Sequence, residues 1–345
     1  MKTNSLTMES VARKAGVSIT TVSHVINKTR HVSQETMAAV MCAIEELNYR
    51  SVKMTKSYKN AVCIGVILAD AREDYFTSMI KAVESVADDY GISVIFCDSE
   101  MDLEKEEKNI ITLVERNING LLLAPVEAAH ISKSLKKISL PVVLIDRQYE
   151  SHNFLFVGIN NFQSSYSGTK HLFEKECKHI GFIGYSTSVY TIKQRILGYR
   201  AFMAENNPPG VNRSAIPQPV DRPFIPKVLT LSYNREDSFP LIKQFILEEG
   251  LDGLVCATST LCYELIEVLD TLSADIQKRL KIITFDDNRW FDYLKYPVSV
   301  ISQPVAEIGN AALENLLQMI EQKNSLCTVK RELLFDTAII DRASP

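Results

Sequence analysis

The 345-residue sequence predicts an all-α helix-turn-helix head followed by an α/β body of two doubly wound parallel-sheet lobes. Three observations carry this expectation. Residues 7–49 keep a helical period; from Ala61 onward short unbroken apolar runs alternate with amphipathic ones; and that alternation occurs in two series. Unbroken apolar strands separated by helices belong to parallel sheets covered on both faces, and two series imply two lobes.

In the head, LTMESVARKAGVSITTVSHVIN places a first helix through Met8–Lys14 and a tight turn at Ala15–Gly16–Val17, where glycine takes positive φ cheaply. Ser18 then caps a second helix. Val22 and Ile26, four apart, face inward, which leaves Ile19, Thr20, Thr21, Ser23 and His24 outward. Short hydroxyl side chains at a helix N-terminus suit an element lying deep in a DNA major groove; a plain helical hairpin is the alternative. Ser33 is placed to cap a third helix carrying Val40, Ile44 and Leu47.

In the body, the first series runs AVCIGVILA, a helix through Met79–Tyr90, ISVIFC, a helix through Lys105–Arg116, GLLLAP and PVVLID. The second runs HIGFIG, a helix through Gln194–Glu205, VLTLS, a helix through Leu241–Glu248, GLVCA, a helix through Tyr263–Leu272, and KIITFDD. The expected domains are a head with hinge over 1–60 and a body over 61–345. Within the body, one lobe takes about 61–160 and 303–330, the other about 161–302 and 331–345. Half of the twelve prolines lie between Asn206 and Pro226, a segment that reads as a surface loop, or as a lid over the cleft. Ligands of such sheets bind at the carboxyl ends of strands, here the cleft between lobes.

Charge sharpens the division of labour. The net formal charge is −4, yet residues 1–60 carry nine Lys and Arg against four Asp and Glu, which leaves 29 against 38 for the rest. Only the head suits phosphate. The seven cysteines are scattered, with no C-x-x-C pair or His-flanked cluster, so they read as reduced thiols, mostly core, and neither a disulfide framework nor a metal site is expected. With no apolar signal core and no run long enough to span a membrane, a cytoplasmic protein without membrane partner is expected.

The run TTVSHVINKTR, continued by HVSQETMAAVMCAIEELNYR, resembles the lactose-repressor family of bacterial transcription regulators across almost the whole chain. Its head is most similar to purine-repressor members. The resemblance implies base contacts from Ile19, Thr20 and His24, and phosphate or base-edge contacts from Thr21, Ser23, Asn27, Arg30 and Tyr49. Ile19 stands where polar residues are common and suits a thymine methyl. The family's next segment forms a hinge helix with a leucine wedged into the minor groove. In NYRSVKMTKSYKN, Ser51 and Val52 replace the usual Pro-Asn and Tyr58 stands in the leucine's place. Lys53, Lys56 and Lys59 would meet phosphates there, and Tyr58 would stack or wedge; a solvated linker is the plain alternative.

The body resembles the family's periplasmic-binding-protein-like sensor. Candidate effector residues stand where strands end: Asp74, Tyr75 and Phe76; Asp146 and Arg147; and Asn160. By the resemblance, Thr258 and Ser259 in CATSTL stand where the family commonly has Asn-Asp. Arg195 and Asp286 occupy family positions that reach the effector, and Trp290 follows closely, with filling of a core gap as its plain alternative. Carboxylates, a carboxamide and guanidinium groups beside aromatic faces match a polyol. Thr187, Ser188, Thr191 and Lys193 suit a phosphate, or form a polar loop. Val189 stands where purine recognition relies on arginine, and CATSTL with TFDDN is similar to the fructose-repressor branch. The expected effector is thus a sugar or sugar phosphate, with a purine as the alternative.

The resemblance further implies a homodimer on near-palindromic double-stranded operator DNA, since dyad-related recognition helices fit half-sites about one turn apart. SQPVAEIGNAALENLLQMIEQK would cross between lobes and continue as a helix. No nucleophile elbow, phosphate loop, dinucleotide fingerprint or metal-ligand pair is present, so no enzyme and no cofactor is expected. A sugar-binding or sugar-processing protein without a regulatory role is the alternative from another class.

Overall fold

The computed structural model describes residues 8–27, 32–46, 62–150, 154–206, 226–232, 235–321 and 332–342. Two compact units are present: Met1–Val62 with Ala87–Ser93, and Cys63–Val86 with Val94–Pro345. The break between Val62 and Cys63 falls two residues past the expected 60/61.

In the first unit, α1 (Met8–Ala15), α2 (Ile19–Asn27) and α3 (Gln34–Glu46) close over a small apolar centre of Val11, Ala12, Val22, Val25, Val40 and Ala43. Gly16 takes φ 67°, which lets the Val17 amide reach back to the Ala12 carbonyl at 3.0 Å. Ser18 Oγ accepts from the Thr21 amide at 3.1 Å and Ser33 Oγ from the Thr36 amide at 3.3 Å, so both hydroxyls satisfy otherwise orphaned helix N–H groups.

In the second unit the elements run β1 (Cys63–Leu68), α4 (Asp74–Tyr90), β2 (Ser93–Asp98), α5 (Leu103–Glu115), β3 (Gly120–Leu123), β4 (Val142–Ile145) and β5 (Leu155–Ile159). The chain then enters its second lobe with α6 (Asn161–Glu174), β6 (Ile180–Gly184), α7 (Tyr190–Glu205), β7 (Lys227–Thr230), α8 (Arg235–Glu248), β8 (Gly253–Cys256), α9 (Ser259–Leu269), α10 (Ala274–Arg279), β9 (Lys281–Phe285) and β10 (Val298–Ser302). Finally come α11 (Val305–Glu321), β11 (Glu332–Phe335) and β12 (Ala338–Ile340). The sheets have the orders β11-β5-β4-β3-β1-β2 and β12-β10-β9-β8-β6-β7, one topology used twice.

Three corrections to the sequence reading follow. Residues 331–345 do not all belong to the second lobe, because β11 pairs in parallel with β5 and only β12 joins the second sheet. That second sheet is not wholly parallel: β12 runs antiparallel to β10. Helices also begin earlier than expected, α4 at Asp74 and α7 at Tyr190. The chain therefore passes between lobes three times, between β5 and α6, between β10 and α11, and between β11 and β12. The segment expected as a loop or lid, 207–225, lies outside the described residues. Of the cysteines, Cys177, Cys256 and Cys262 are buried, Cys63 and Cys97 half-buried and Cys42 exposed.

Helix α6 has no counterpart in the sequence reading, since NFQSSYSGTKHLFE has weak helix formers and no clear apolar stripe. Packing makes it. Tyr166 and Phe173 set their rings edge-on to Phe202 of α7, and Gly198 lets the two backbones meet. A Cβ at Gly198 would lie 2.1 Å from the Phe162 carbonyl oxygen, backbone that cannot step aside cheaply. Gly198→Ala is therefore expected to destabilise the body by about 1–3 kcal/mol, read as a lower thermal midpoint.

Candidate functional site

The site grows from two matching strand ends. Asp146 follows β4 and Asp286 follows β9, at equivalent places in the two sheets. Both adopt left-handed backbone, φ 61° and 72°, while their amides prolong the pairing to Val157 O at 3.3 Å and Ile301 O at 3.1 Å. Asp tolerates this region better than most residues, but such turns persist where surrounding structure holds them, often at ligand sites.

Between these aspartates lies Arg195, brought in by α7 and 3% exposed. Its Nε donates to Asn161 Oδ1 at 2.7 Å, another guanidinium nitrogen donates to the Ala257 carbonyl, and Cζ lies 3.7 Å from the Phe285 ring centre. Arg147 is 4% exposed, donates through Nε to Asp146 Oδ2 at 3.1 Å and rests 5.9 Å from the Phe76 ring centre. Gln303 donates to Asp286 Oδ1 at 2.6 Å.

These groups line an inner chamber with only about 10 Å³ free, together with Glu73, Tyr75, Val189, Thr191, Ile192 and Thr258. Tyr75 Oη and Gln303 Oε1 are buried there without a hydrogen-bond partner among the described residues, a state that costs free energy unless something answers it. Burial dominates the titration of the carboxyls. It pushes Asp286 up to about 6 against the pull of Arg195, pushes Glu73 up to about 7 against Arg147, and raises Asp146 against both arginines. Arg195 is pulled down by the same burial and held up by Asp286, Asp146 and Glu73.

Beside the inner chamber lies an outer one of about 530 Å³, between α4 and the loop after β9. Asp74 and Lys81 line it from one lobe, Asn288, Arg289 and Trp290 from the other. Asn288 spans the gap by donating to Asp74. Three further ties join the lobes: Lys193 Nζ to the Glu150 carboxylate, Gln148 Nε2 donating to Tyr190 Oη at 2.6 Å, and the Ala128 amide to Ser188 O at 3.1 Å.

Most of the expected effector residues converge. Tyr75, Asp146, Arg147, Thr191, Arg195, Thr258 and Asp286 share the inner chamber, Asp74 and Trp290 the outer, and Phe76 lies buried beneath Arg147. Asn160 does not join them: it is exposed and its Oδ1 caps α6 through the Gln163 amide at 3.0 Å. Thr258 caps α9 through the Leu261 amide as well as lining the chamber. Trp290 fills no core gap, being 63% exposed. Thr187, Ser188 and Lys193 line neither chamber. The sequence reading missed Glu73 and Gln303, although both stand just past strand ends where it placed its other candidates.

In the head, Ile19 is 49% exposed and Thr20 exposed, at the N-terminal turn of α2. Thr21 is half-buried, its Oγ1 2.8 Å from Ser18 Oγ. Ser23, His24 and Asn27 lie on α2 with side chains outside the described residues, and Arg30, Tyr49, Tyr58, Lys59 and the whole hinge, including Ser51 and Val52, lie outside them altogether.

Comparison with known proteins places both units. Residues 7–51 match the lacI family of bacterial regulatory proteins, and residues 64–324 match the periplasmic binding protein domain. An HTH-type transcriptional repressor PurR from Photobacterium profundum is 28% identical over 323 residues, 92% of this chain and 93% of that one. Among solved structures, the Cra transcriptional dual regulator of Pseudomonas putida in complex with fructose 1-phosphate has TM-score 0.67 and 22% identity, covering 82% of this chain and 99% of that one. The lac repressor dimer bound to operator and an anti-inducer has TM-score 0.63 and 21% identity, covering 98% of each.

Glu106 adds a fourth raised carboxyl beside this site. It is 1% exposed, accepts from the Val126 amide at 2.7 Å, and burial pushes it up to about 7. Folded values of Glu73, Asp286 and Glu106 above the unfolded ~4.3 mean that the native state holds extra protons. The stability tied to these protons is complete below about pH 4 and is lost as pH rises toward 7. Glu106→Gln, which keeps an acceptor for Val126, should flatten that decline when midpoints are compared from pH 4.5 to 7.5.

Proposed function

This chain belongs to the lacI family of bacterial regulatory proteins, and on that premise we propose that it is a cytoplasmic repressor whose operator affinity is set by a sugar or sugar phosphate in the interlobe cleft. One observation carries the effector half. The inner chamber sets guanidinium donors and carboxylate acceptors around two unanswered polar atoms, Tyr75 Oη and Gln303 Oε1, beside aromatic rings. A ring hydroxyl needs both a donor and an acceptor, and each orphaned atom offers one side of such a bond. Fructose 1-phosphate in the Pseudomonas putida regulator supports the ligand class. Val189, 1% exposed, puts an apolar wall where a purine would need arginine.

The head reads DNA through the first turn of α2. Exposed Ile19 and Thr20 flank the Ser18 cap, so short side chains let the helix enter the major groove while Thr21 stays tied to the cap. Two such heads, in a dimer like the operator-bound lac repressor, meet a near-palindromic site. Ser23, His24, Asn27, Arg30 and Tyr49 extend the contact surface, with Lys59 and Tyr58 in the hinge. In the cleft we assign binding rather than catalysis: the lining carboxylates of Asp146 and Asp286 are engaged by Arg147 and Gln303, and no nucleophile–base pair occurs among the described lining residues.

Two measurements test the two halves. In a mobility-shift assay on the gene's own upstream DNA, Thr20→Ala should weaken binding by about 1–3 kcal/mol with an unchanged melting curve; full affinity would remove α2 as the reader. In thermal-shift screening against sugars, sugar phosphates and purines, at least one sugar should raise the midpoint of the body, and Arg195→Met should abolish that rise. Stabilisation by purines alone would replace the sugar assignment.

A further inference from the structure

At the end of the second sheet opposite the cleft lies a separate cavity of about 270 Å³. Its walls are the starts of β9 and β10, the carboxyl end of α6 and the residues just past β12. Lys281 opens β9 and Asp286 follows it, so the cavity stands roughly 16 Å along the strand from Asp286. Its volume is many times the ~10–15 Å³ that one water needs.

The lining is of two kinds. Leu172, Leu280, Ile282 and Pro297 supply aliphatic surface, while Lys175, Lys281 and Arg342 supply three permanent cations beside one carboxylate, Asp341. That carboxylate is already answered: Lys175 Nζ pairs with it, His171 Nε2 lies 3.3 Å from its Oδ1, and Ser299 Oγ donates to the same oxygen at 3.2 Å. Lys281 has no carboxylate partner among the described residues; its Nζ donates to the Lys175 carbonyl. Arg342 donates through Nε to Asp292 and through Nη2 to Asp287, both at 3.0 Å, and its Nη1 is buried with no hydrogen-bond partner among the described residues. A buried orphaned donor costs free energy until an acceptor answers it. An ammonium without a carboxylate and a guanidinium with an orphaned N–H thus border a space whose other wall is aliphatic.

These surfaces fit one chemistry: an oxyanion head, carboxylate or phosphate, on a short aliphatic body. A bare inorganic anion leaves the aliphatic wall wet, and a neutral molecule leaves Lys281 and Arg342 unanswered. We propose that the cavity is a second ligand site, for a small organic anion, with Lys281 and Arg342 holding the oxyanion and Leu172, Ile282 and Pro297 covering the carbon chain. It does not depend on the sugar reading of the cleft. Arg342 grips Asp287 and Asp292 on either side of Trp290, in the loop that lines the outer chamber, so an anion on this arginine bears on that loop and gives the regulator a second chemical input.

Calorimetric titration of the full-length protein with n-butyl phosphate, butyrate, inorganic phosphate, acetate and n-butanol tests the site. The butyl ester should bind about tenfold more tightly than phosphate, butyrate about tenfold more tightly than acetate, and n-butanol not at all. Lys281 is exposed, so Lys281→Gln keeps the fold; it should weaken both organic anions about tenfold, and Lys281→Arg should restore them. Binding should persist in Arg195→Met, which alters only the inner chamber. Saturation should also shift the emission of Trp290, the chain's single tryptophan. The proposal is overturned if neither organic anion binds, if binding is unchanged in Lys281→Gln or lost in folded Arg195→Met, if phosphate and its butyl ester bind equally, or if Trp290 emission stays unmoved at saturation. None of these results touches the sugar reading.

Discussion

Arg195 carries a positive charge into a place where water does not reach it, and a buried charge is tolerated only where opposite charge and hydrogen bonds answer it. Asn161, the Ala257 carbonyl and the Phe285 ring take up the guanidinium directly, while Asp146 and Asp286 hold it charged across the chamber. Those partners come from both lobes. Closing the cleft therefore completes the environment of one side chain, and opening it removes part of that environment. A ligand with hydroxyls can stand in for the opposing lobe, which is how occupancy of so small a chamber can bias the arrangement of two sheets.

The duplicated topology gives that bias a mechanical outlet. Each sheet delivers one aspartate in left-handed backbone at the same strand end, so the two lobes face each other with equivalent edges. Three chain passages connect them, and the ties Asn288 to Asp74 and Lys193 to Glu150 cross the gap outside the inner chamber. Rotation about three short passages would change side-chain contacts across the cleft and leave both cores, which include Leu144 and Leu254, intact.

Much of this was legible in the sequence because the relevant signals are local. Ser18 and Ser33 caps, Gly16 at its turn, and apolar strand runs each depend on a few adjacent residues. The strand-end rule then gathered Tyr75, Asp146 and Arg147 of the inner chamber, the family resemblance added Arg195, Thr258 and Asp286, and the polar run after Gly184 added Thr191. What escaped it depends on distant partners. Helix α6 exists because Gly198 admits it, not because its own residues favour helix, and no window of sequence contains both facts. Asn160 looked like a ligand contact because a strand-end carboxamide and a helix cap are the same residue type in the same place; only the Gln163 amide distinguishes them. Crossing of the final strands was misassigned because Glu332–Phe335 and Ala338–Ile340 are short and separated by two residues, so their division between sheets is decided by partners β5 and β10. Glu73 and Gln303 obeyed the rule that found their neighbours; they were passed over beside more conspicuous aromatic and charged residues.

The central claim is a thermodynamic one: sugar in the cleft and DNA on the head share a coupling free energy, and each must change the other's affinity by one factor. The direct measurement is a calorimetric titration of the stabilising sugar into the protein, free and saturated with operator DNA, paired with operator affinity at zero and saturating sugar. The two ratios should agree and lie within about 5- to 150-fold, and in Arg195→Met, which no longer takes the sugar, operator affinity should not respond to sugar at all. Sugar affinity that is identical with and without operator, in a protein shown to bind both, would contradict the account.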